Sequence, residues 1–247
     1  MPYEYLLLPL IAFAAYILKG VTGFGPAIVV VAFGSMIMPP RDVIAMSAVL
    51  DTTAGAMLLR MNWKRGGHRF WLPLTLAIVL GSILGSLFLE AISPAVFQIL
   101  LSGAICFLGF WFLLAKPGQR DDALIGTLPQ TGSRTDVAMT FFGGMCGGLF
   151  GISGPPVIWH FGRRFTKRAF RQVLIPIFLA AAAARVTAYA SIGLLDRHIL
   201  WYVLASTPGL LMGILLGNRI FKKLSERAFR SIVGILLILV SIQLLLK

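Results

Sequence analysis

The sequence predicts an all-α integral membrane protein of two inverted-topology repeats, each a broken or re-entrant helical hairpin plus three transmembrane helices. Composition is the first reason. The 247-residue chain is 58% hydrophobic and 13% charged, with a mean hydropathy of +0.88, whereas soluble domains carry about a quarter charged residues. The second reason is a recurrence of apolar runs long enough to cross a bilayer. The third is a pair of interruptions, Gly20-Val-Thr-Gly-Phe-Gly-Pro26 and Gly148-Leu-Phe-Gly-Ile-Ser-Gly-Pro-Pro156, at corresponding places in the two halves. Paired breaks of this kind point to a transporter's binding site.

The first repeat, 1–115, opens with region 5–38, which is broken at Gly20 to Pro26. It fits either a hairpin or two short spans, and in both cases it enters and leaves on one side. Spans follow at 42–60, 70–90 and 95–115, each meeting the ~18 apolar residues that a ~30 Å hydrocarbon core requires. The linker 116–135, rich in Gly, Pro, Thr, Gln and Asp, divides the halves. In the second repeat, 136–247, region 136–162 amounts to ~40 Å of helix at ~1.5 Å per residue, too short to cross twice. With its break at Gly151 to Pro156 it reads as a re-entrant hairpin. Spans at 170–192, 198–218 and 229–246 complete the chain.

Charge placement tests this layout, because cytoplasmic loops collect Lys and Arg. Seventeen of the 22 basic residues fall in the loop after the first span, the linker, the loop after the second hairpin and the loop before the last span. All four can be cytoplasmic together only if 136–162 returns to its starting side. Both termini are then outside, and the two halves run in opposite senses. The net charge of +13, confined to short loops, is a topology signal and gives no reason to expect a nucleic-acid partner. Sequence echoes agree with a repeat: Trp71 precedes Gly81-x-x-x-Gly85 and Ser93-Pro-Ala-Val-Phe97, as Trp201 precedes Gly209-x-x-x-Gly213 and Ser225-Glu-Arg-Ala-Phe229. The glycine rows offer close-packing faces, within the subunit or between subunits, so the oligomeric state stays open. The N-terminal Met1-Pro-Tyr-Glu-Tyr5 lacks a basic signal region, and the apolar stretch that follows outruns a signal core.

Candidate functional residues cluster at the breaks. The second limb of each hairpin begins there, with free N–H groups and the positive end of its dipole. Pro26 and Pro155 suit a first helical position, and Ser153 or Gly154 an N-cap. Entered from opposite faces, the two ends converge near the midplane, and helix N-termini bind anions. Ionisable residues inside spans are costly and mark pathways; these are Lys19, Asp51 and Arg185. The expected site is Lys19, Gly20, Thr22, Gly23, Gly25, Gly151, Ser153, Gly154 and Arg185, with Asp51 as proton-coupling group or structural counter-charge. A plainer alternative has Asp51 and Arg185 paired to hold the bundle, with Gly143, Gly147 and Gly151 serving only close packing. His160 reads as a hydrogen-bonded packing residue. Cys106 and Cys146 lie in apolar runs without metal or disulfide spacing. No His-Glu-x-x-His, paired-aspartate or Ser/Cys–His arrangement is present at membrane depth, so no catalytic residue, metal or cofactor is expected. The partners expected are the lipid bilayer, a small anionic substrate and a coupling proton or ion. The function expected is secondary transport, with an anion channel and an intramembrane enzyme as alternatives.

Through Gly23-Phe-Gly25, Gly151-Ile-Ser-Gly-Pro-Pro156 and the repeated basic-loop pattern, the chain resembles the TauE/SafE sulfite exporter family over essentially its whole length. The resemblance implies a bacterial inner-membrane permease for small sulfur-containing or carboxylated anions such as sulfite, sulfoacetate or related organosulfonates. One departure is that the family's commoner glycine triplet is replaced here by Gly25-Pro26 and Ser153-Gly-Pro-Pro156, so tip geometry and substrate need not follow the typical member.

Overall fold

A computed structural model describes residues 4–23, 25–62, 68–93, 132–161 and 167–220, with scattered positions between 96 and 110. The described residues are helical, with no strand among them. In chain order the helices are α1 (Glu4–Thr22), α2 (Pro26–Gly34), α3 (Pro40–Asn62), α4 (His68–Ala91), α5 (Arg134–Phe150), α6 (Gly154–Phe161), α7 (Lys167–Ser191) and α8 (Arg197–Ile220). Four of them contain stretches long and apolar enough to cross a membrane: Pro40–Met61, Phe70–Leu89, Arg171–Ser191 and Arg197–Ile220. The protein is a multi-pass membrane protein. The expected span 95–115 lies largely, and the expected span 229–246 wholly, outside the described residues.

Region 5–38 is a long helix followed by a short one. The apolar part of α1 is Leu7–Val21, and α2 has 9 residues, or about 14 Å at ~1.5 Å per residue. Region 136–162 has the same form, with 17 residues in α5 and 8 in α6. The start of α5 is fixed by a capping box in which the Ser133 hydroxyl accepts from the Asp136 amide and the Asp136 carboxylate accepts from the Ser133 amide. Such a reciprocal pair satisfies two otherwise orphaned N–H groups.

The packing relations come in matched pairs. Helix α1 lies along α8 and α5 along α4; α3 meets α8 as α7 meets α4; and α3 and α7 pack on each other. The glycine rows explain the first two contacts. A Cβ at Gly209, Gly213 or Gly217 would run into the backbone carbonyl of Pro9, Phe13 or Ile17. One at Gly81 or Gly85 would meet the carbonyl of Phe141 or Met145. Both rows therefore face inward, onto a broken helix, and their ascending register makes α1 parallel to α8 and α5 parallel to α4. Small residues let helix backbones approach this closely where no hydrophobic drive operates between helices in lipid.

The opposite faces are apolar and exposed, with Leu72, Leu76, Leu80, Leu84 and Leu87 on α4 and Leu200, Leu204, Leu211 and Leu215 on α8. That spacing is a lipid-facing helix stripe. Helices α3 and α7 are the most buried of the four spans; Val43, Ile44, Met46, Leu50 and Leu58 on α3 and Leu174, Ile177, Ala181 and Tyr189 on α7 are nearly or fully inaccessible. Arg41, in the first turn of α3, donates to the carbonyls of Leu89 and Ile92 at 3.3 and 2.8 Å. It caps the carbonyl end of α4, where a cation complements the dipole.

Candidate anion site between the two helix breaks

Both breaks are built by glycine in the left-handed region. After α1, the Gly23 amide donates to the Lys19 carbonyl at 2.7 Å, and Gly25 (φ 86°) turns the chain so that Pro26 is the first residue of α2. After α5, Gly151 (φ 75°) donates to the Gly147 carbonyl at 2.9 Å. Ile152 and Ser153 then lead into Gly154, the first residue of α6. A side chain is disfavoured at such φ values, and proline costs nothing where no N–H partner exists.

The two breaks line one small, partly open cavity, with walls of Lys19, Gly25, Pro26, Ala27, Asp51, Gly151, Ile152, Ser153, Gly154, Phe178 and Arg185. Its charged residues form a single cluster. Asp51, midway along α3, accepts from Lys19 Nζ at 2.9 Å, from the Tyr16 hydroxyl at 3.1 Å and from Arg185 NH2 at 3.3 Å. Lys19 also donates to the Asp51 carbonyl at 3.0 Å. Arg185 NH1 donates to the carbonyls of Gly147 and Gly151 at 3.3 and 2.5 Å, which are the C-terminal end of α5. The side chains of Lys19, Asp51 and Arg185 are 5%, 7% and 3% exposed, so two cations and one carboxylate share a largely dehydrated wall.

The pairing of Asp51 with Arg185 considered from sequence is present, and Lys19 joins it. On the cavity wall, two buried donors have no hydrogen-bond partner among the described residues: Arg185 Nε and the Ser153 hydroxyl. Ser153 precedes α6 but its hydroxyl does not cap the helix. It packs against the bare Cα of Gly147, where a Cβ would overlap it.

Other expected site residues lie elsewhere. Gly20 is in the α1–α8 contact, where a Cβ would come within 2.8 Å of the Ile214 carbonyl and 2.9 Å of the Gly217 Cα. Gly23 abuts Arg171 and Ile175. Neither is on the cavity wall, because α1 turns them towards α8 and α7. Thr22 closes α1, and its side chain is outside the described residues. The amide ends of α2 and α6 line the cavity. The carbonyl ends of α1 and α5 reach the same breaks as the amide ends of α2 and α6, so opposed partial charges meet there. The positive character of the site therefore comes from Lys19 and Arg185.

Tyr16 and Phe178 were missed, although each stands on the same helical face as a named residue, three before Lys19 and seven before Arg185. At the far end of α5, His160 Nε2 and Asp136 Oδ1 lie 2.5 Å apart, a hydrogen bond that ties α6 back to the start of α5. Among the described residues no cluster of three or more His, Cys, Asp or Glu could hold a metal ion.

The sequence profile described as "Sulfite exporter TauE/SafE" matches residues 8–244. A curated protein of Cupriavidus necator, named "Probable sulfite/organosulfonate exporter TauE", is 29% identical over 224 residues, covering 87% of this chain and 85% of that protein. No solved structure gives a significant match. With the profile spanning almost its whole length, the chain belongs to the TauE/SafE sulfite exporter family.

Proposed function

We propose that this protein is a secondary transporter that exports a small anion, sulfite or an organosulfonate such as sulfoacetate or a related carboxylate, by alternating access around the cavity between the two breaks. The observation that carries the reading is the buried Lys19–Asp51–Arg185 cluster on the wall where both breaks meet. With Asp51 as a carboxylate, the cluster keeps one positive charge in excess, and a dehydrated cation surplus is stabilised by an anion. Arg185 Nε and the Ser153 hydroxyl, uncommitted among the described residues, are donors of the kind an oxyanion accepts from. The name of the Cupriavidus necator relative supports the substrate class.

The matched packing pairs support two inverted repeats, 1–115 and 136–247, joined by the cytoplasmic linker 116–135, with 5–38 and 136–162 as hairpins and both termini outside the inner membrane. In this scheme α8 runs inward and α4 outward, so the parallel α1 and α5 enter from opposite faces. Asp51 holds the two cations when no substrate is bound, and a proton taken up there would free them.

The test is transport of labelled sulfite and of a labelled sulfonate in proteoliposomes. Wild-type protein should show saturable flux with counterflow, and Arg185→Ala and Lys19→Ala should each lower it by at least about tenfold. Unchanged flux in both variants refutes the site, and single-channel currents in place of counterflow refute the carrier mechanism.

A further inference from the structure

We infer that Arg41 and Arg171 are paired latches, one closing each end of the path to the cavity, and that transport opens them one at a time. The inference rests on the alternating-access reading proposed above and names the bonds that such a cycle breaks.

The two arginines hold equivalent places in the two halves of the chain. Arg41, the second residue of α3, donates to the carbonyls of Leu89 and Ile92 at the end of α4. Arg171, in the second turn of α7, donates to Asn218 Oδ1 at 2.7 Å in the last turn of α8. In each half an arginine near the start of one long helix holds the end of the next. The helices so joined pack mainly on others: α3 on α7 and α8, α4 on α5 and α7, α7 on α3 and α4, and α8 on α1 and α3. An arginine that lets go therefore parts two helix ends without unpacking a helix face. Leu89, Ile92 and Asn218 are neutral acceptors, so releasing them strands no carboxylate.

The latches lie at opposite ends of the molecule, with the charged cluster between them. Asp51 on α3 meets Arg185 on α7, and a Cβ at Gly55 would lie 3.1 Å from Leu179 Cδ1. Residue numbers thus rise along α3 as they fall along α7, and the two helices are antiparallel. At ~1.5 Å per residue, Arg41 is about 15 Å from the level of the cluster in one direction and Arg171 about 21 Å in the other. With α4 running outward and α8 inward, the Arg41 latch is external and the Arg171 latch cytoplasmic. The cytoplasmic one also touches the first break: a Cβ at Gly23 would lie 3.1 Å from Arg171 Cγ, and the Gly23 amide is bonded to the Lys19 carbonyl. Movement of Lys19 at the cavity is therefore felt at this latch.

The test reads access to the cavity from each face. The reporter is Ala27→Cys, on the cavity wall, in a background with Cys106 and Cys146 replaced by alanine that retains sulfite counterflow. A membrane-impermeant maleimide is applied to right-side-out and to inside-out membrane vesicles. Arg41→Ala should raise labelling from the external face, and Arg171→Ala and Asn218→Ala from the cytoplasmic face, each by at least about fivefold as the open population grows. The Arg171→Ala/Asn218→Ala double variant should be no more open than either single variant, since all three remove one bond. Asn218→Asp makes that bond charge-assisted and stronger, so it should lower cytoplasmic labelling below the wild-type rate; because it adds an interaction, it keeps the test decisive where an alanine variant fails to fold. Folded variants that label at wild-type rates from both faces, or equally faster from both, reduce the arginines to helix caps and overturn the inference, while counterflow by the parent leaves the transporter reading in place. Asn218→Asp labelled at the wild-type rate also overturns it. The same pattern with the faces exchanged upholds the latches and overturns the orientation proposed above. A parent protein without counterflow removes the transport reading and this inference with it.

Discussion

Gly213→Ala tests the link between helix packing and the charged cluster, because Gly213 touches no residue of the cavity. A Cβ there would lie 2.6 Å from the Phe13 carbonyl, 3.0 Å from the Ile17 amide and 3.1 Å from the Tyr16 carbonyl carbon. Ordinary contact begins near 3.4 Å, so α1 must move off α8 by about 0.8 Å at this level. All three are backbone atoms, and no side chain can rotate away to absorb the methyl. Overpacking of this kind costs about 1–3 kcal/mol, against a helix-propensity gain of about 1 kcal/mol for replacing glycine with alanine. The displaced segment carries Tyr16 and, one turn on, Lys19, whose bonds to Asp51 are 3.1 and 2.9 Å. Shifts approaching 1 Å exceed the 2.7–3.2 Å range over which N–H···O hydrogen bonds hold. The expected outcome is a lower unfolding temperature in detergent together with at least about fivefold slower sulfite flux in proteoliposomes. Gly103→Ala is the control, since its added Cβ meets nothing within 4 Å among the described residues; it should match or exceed wild-type stability. Wild-type stability and flux in Gly213→Ala would refute the claim that the glycine row positions the cluster.

Two further outcomes are expected. Gly147→Ala should destabilise the second break by about 1–3 kcal/mol through overlap with the Ser153 hydroxyl, and Ser153→Gly should rescue it, which a double-mutant cycle of thermal unfolding measures as a favourable coupling. His160→Ala removes a hydrogen bond from the buried Asp136 carboxylate and should cost about 1–3 kcal/mol, read as a lowered unfolding midpoint with the helix content at low temperature unchanged by circular dichroism.

The spans were legible because a run of about 20 apolar residues has few other uses. The breaks were legible because Gly25-Pro26 and Gly151 to Pro155 stop a helix for stereochemical reasons written in the residues themselves. Asp51 and Arg185 could be paired in advance because a buried charge needs a partner. Lys19 could be placed at the first break but not assigned to Asp51, since that contact depends on the angle at which α1 crosses α3. Angle is set by tertiary packing, here by which backbone each glycine row accepts. The same dependence misdirected Gly20: spacing alone cannot tell which side of α1 faces α8 and which faces the cavity. The convergence of carbonyl with amide ends was implicit in the chain order, yet its electrostatic effect needed the two breaks side by side.

The glycine rows also determine how the molecule can come apart and therefore how it can move. Each row belongs to one half of the chain and grips the broken helix of the other, so the halves are interlocked like clasped hands. A hinge at the linker that swung one half away from the other would strip α1 from α8 and α5 from α4 at once, sacrificing the tightest backbone contacts described. Motions that preserve those contacts partition the protein along a different seam, with α1 travelling with α8 and α5 with α4. The rigid bodies are then chimeras of early and late sequence, and Asp51 sits at the seam between them, bonded to α1 on one side and to α7 on the other.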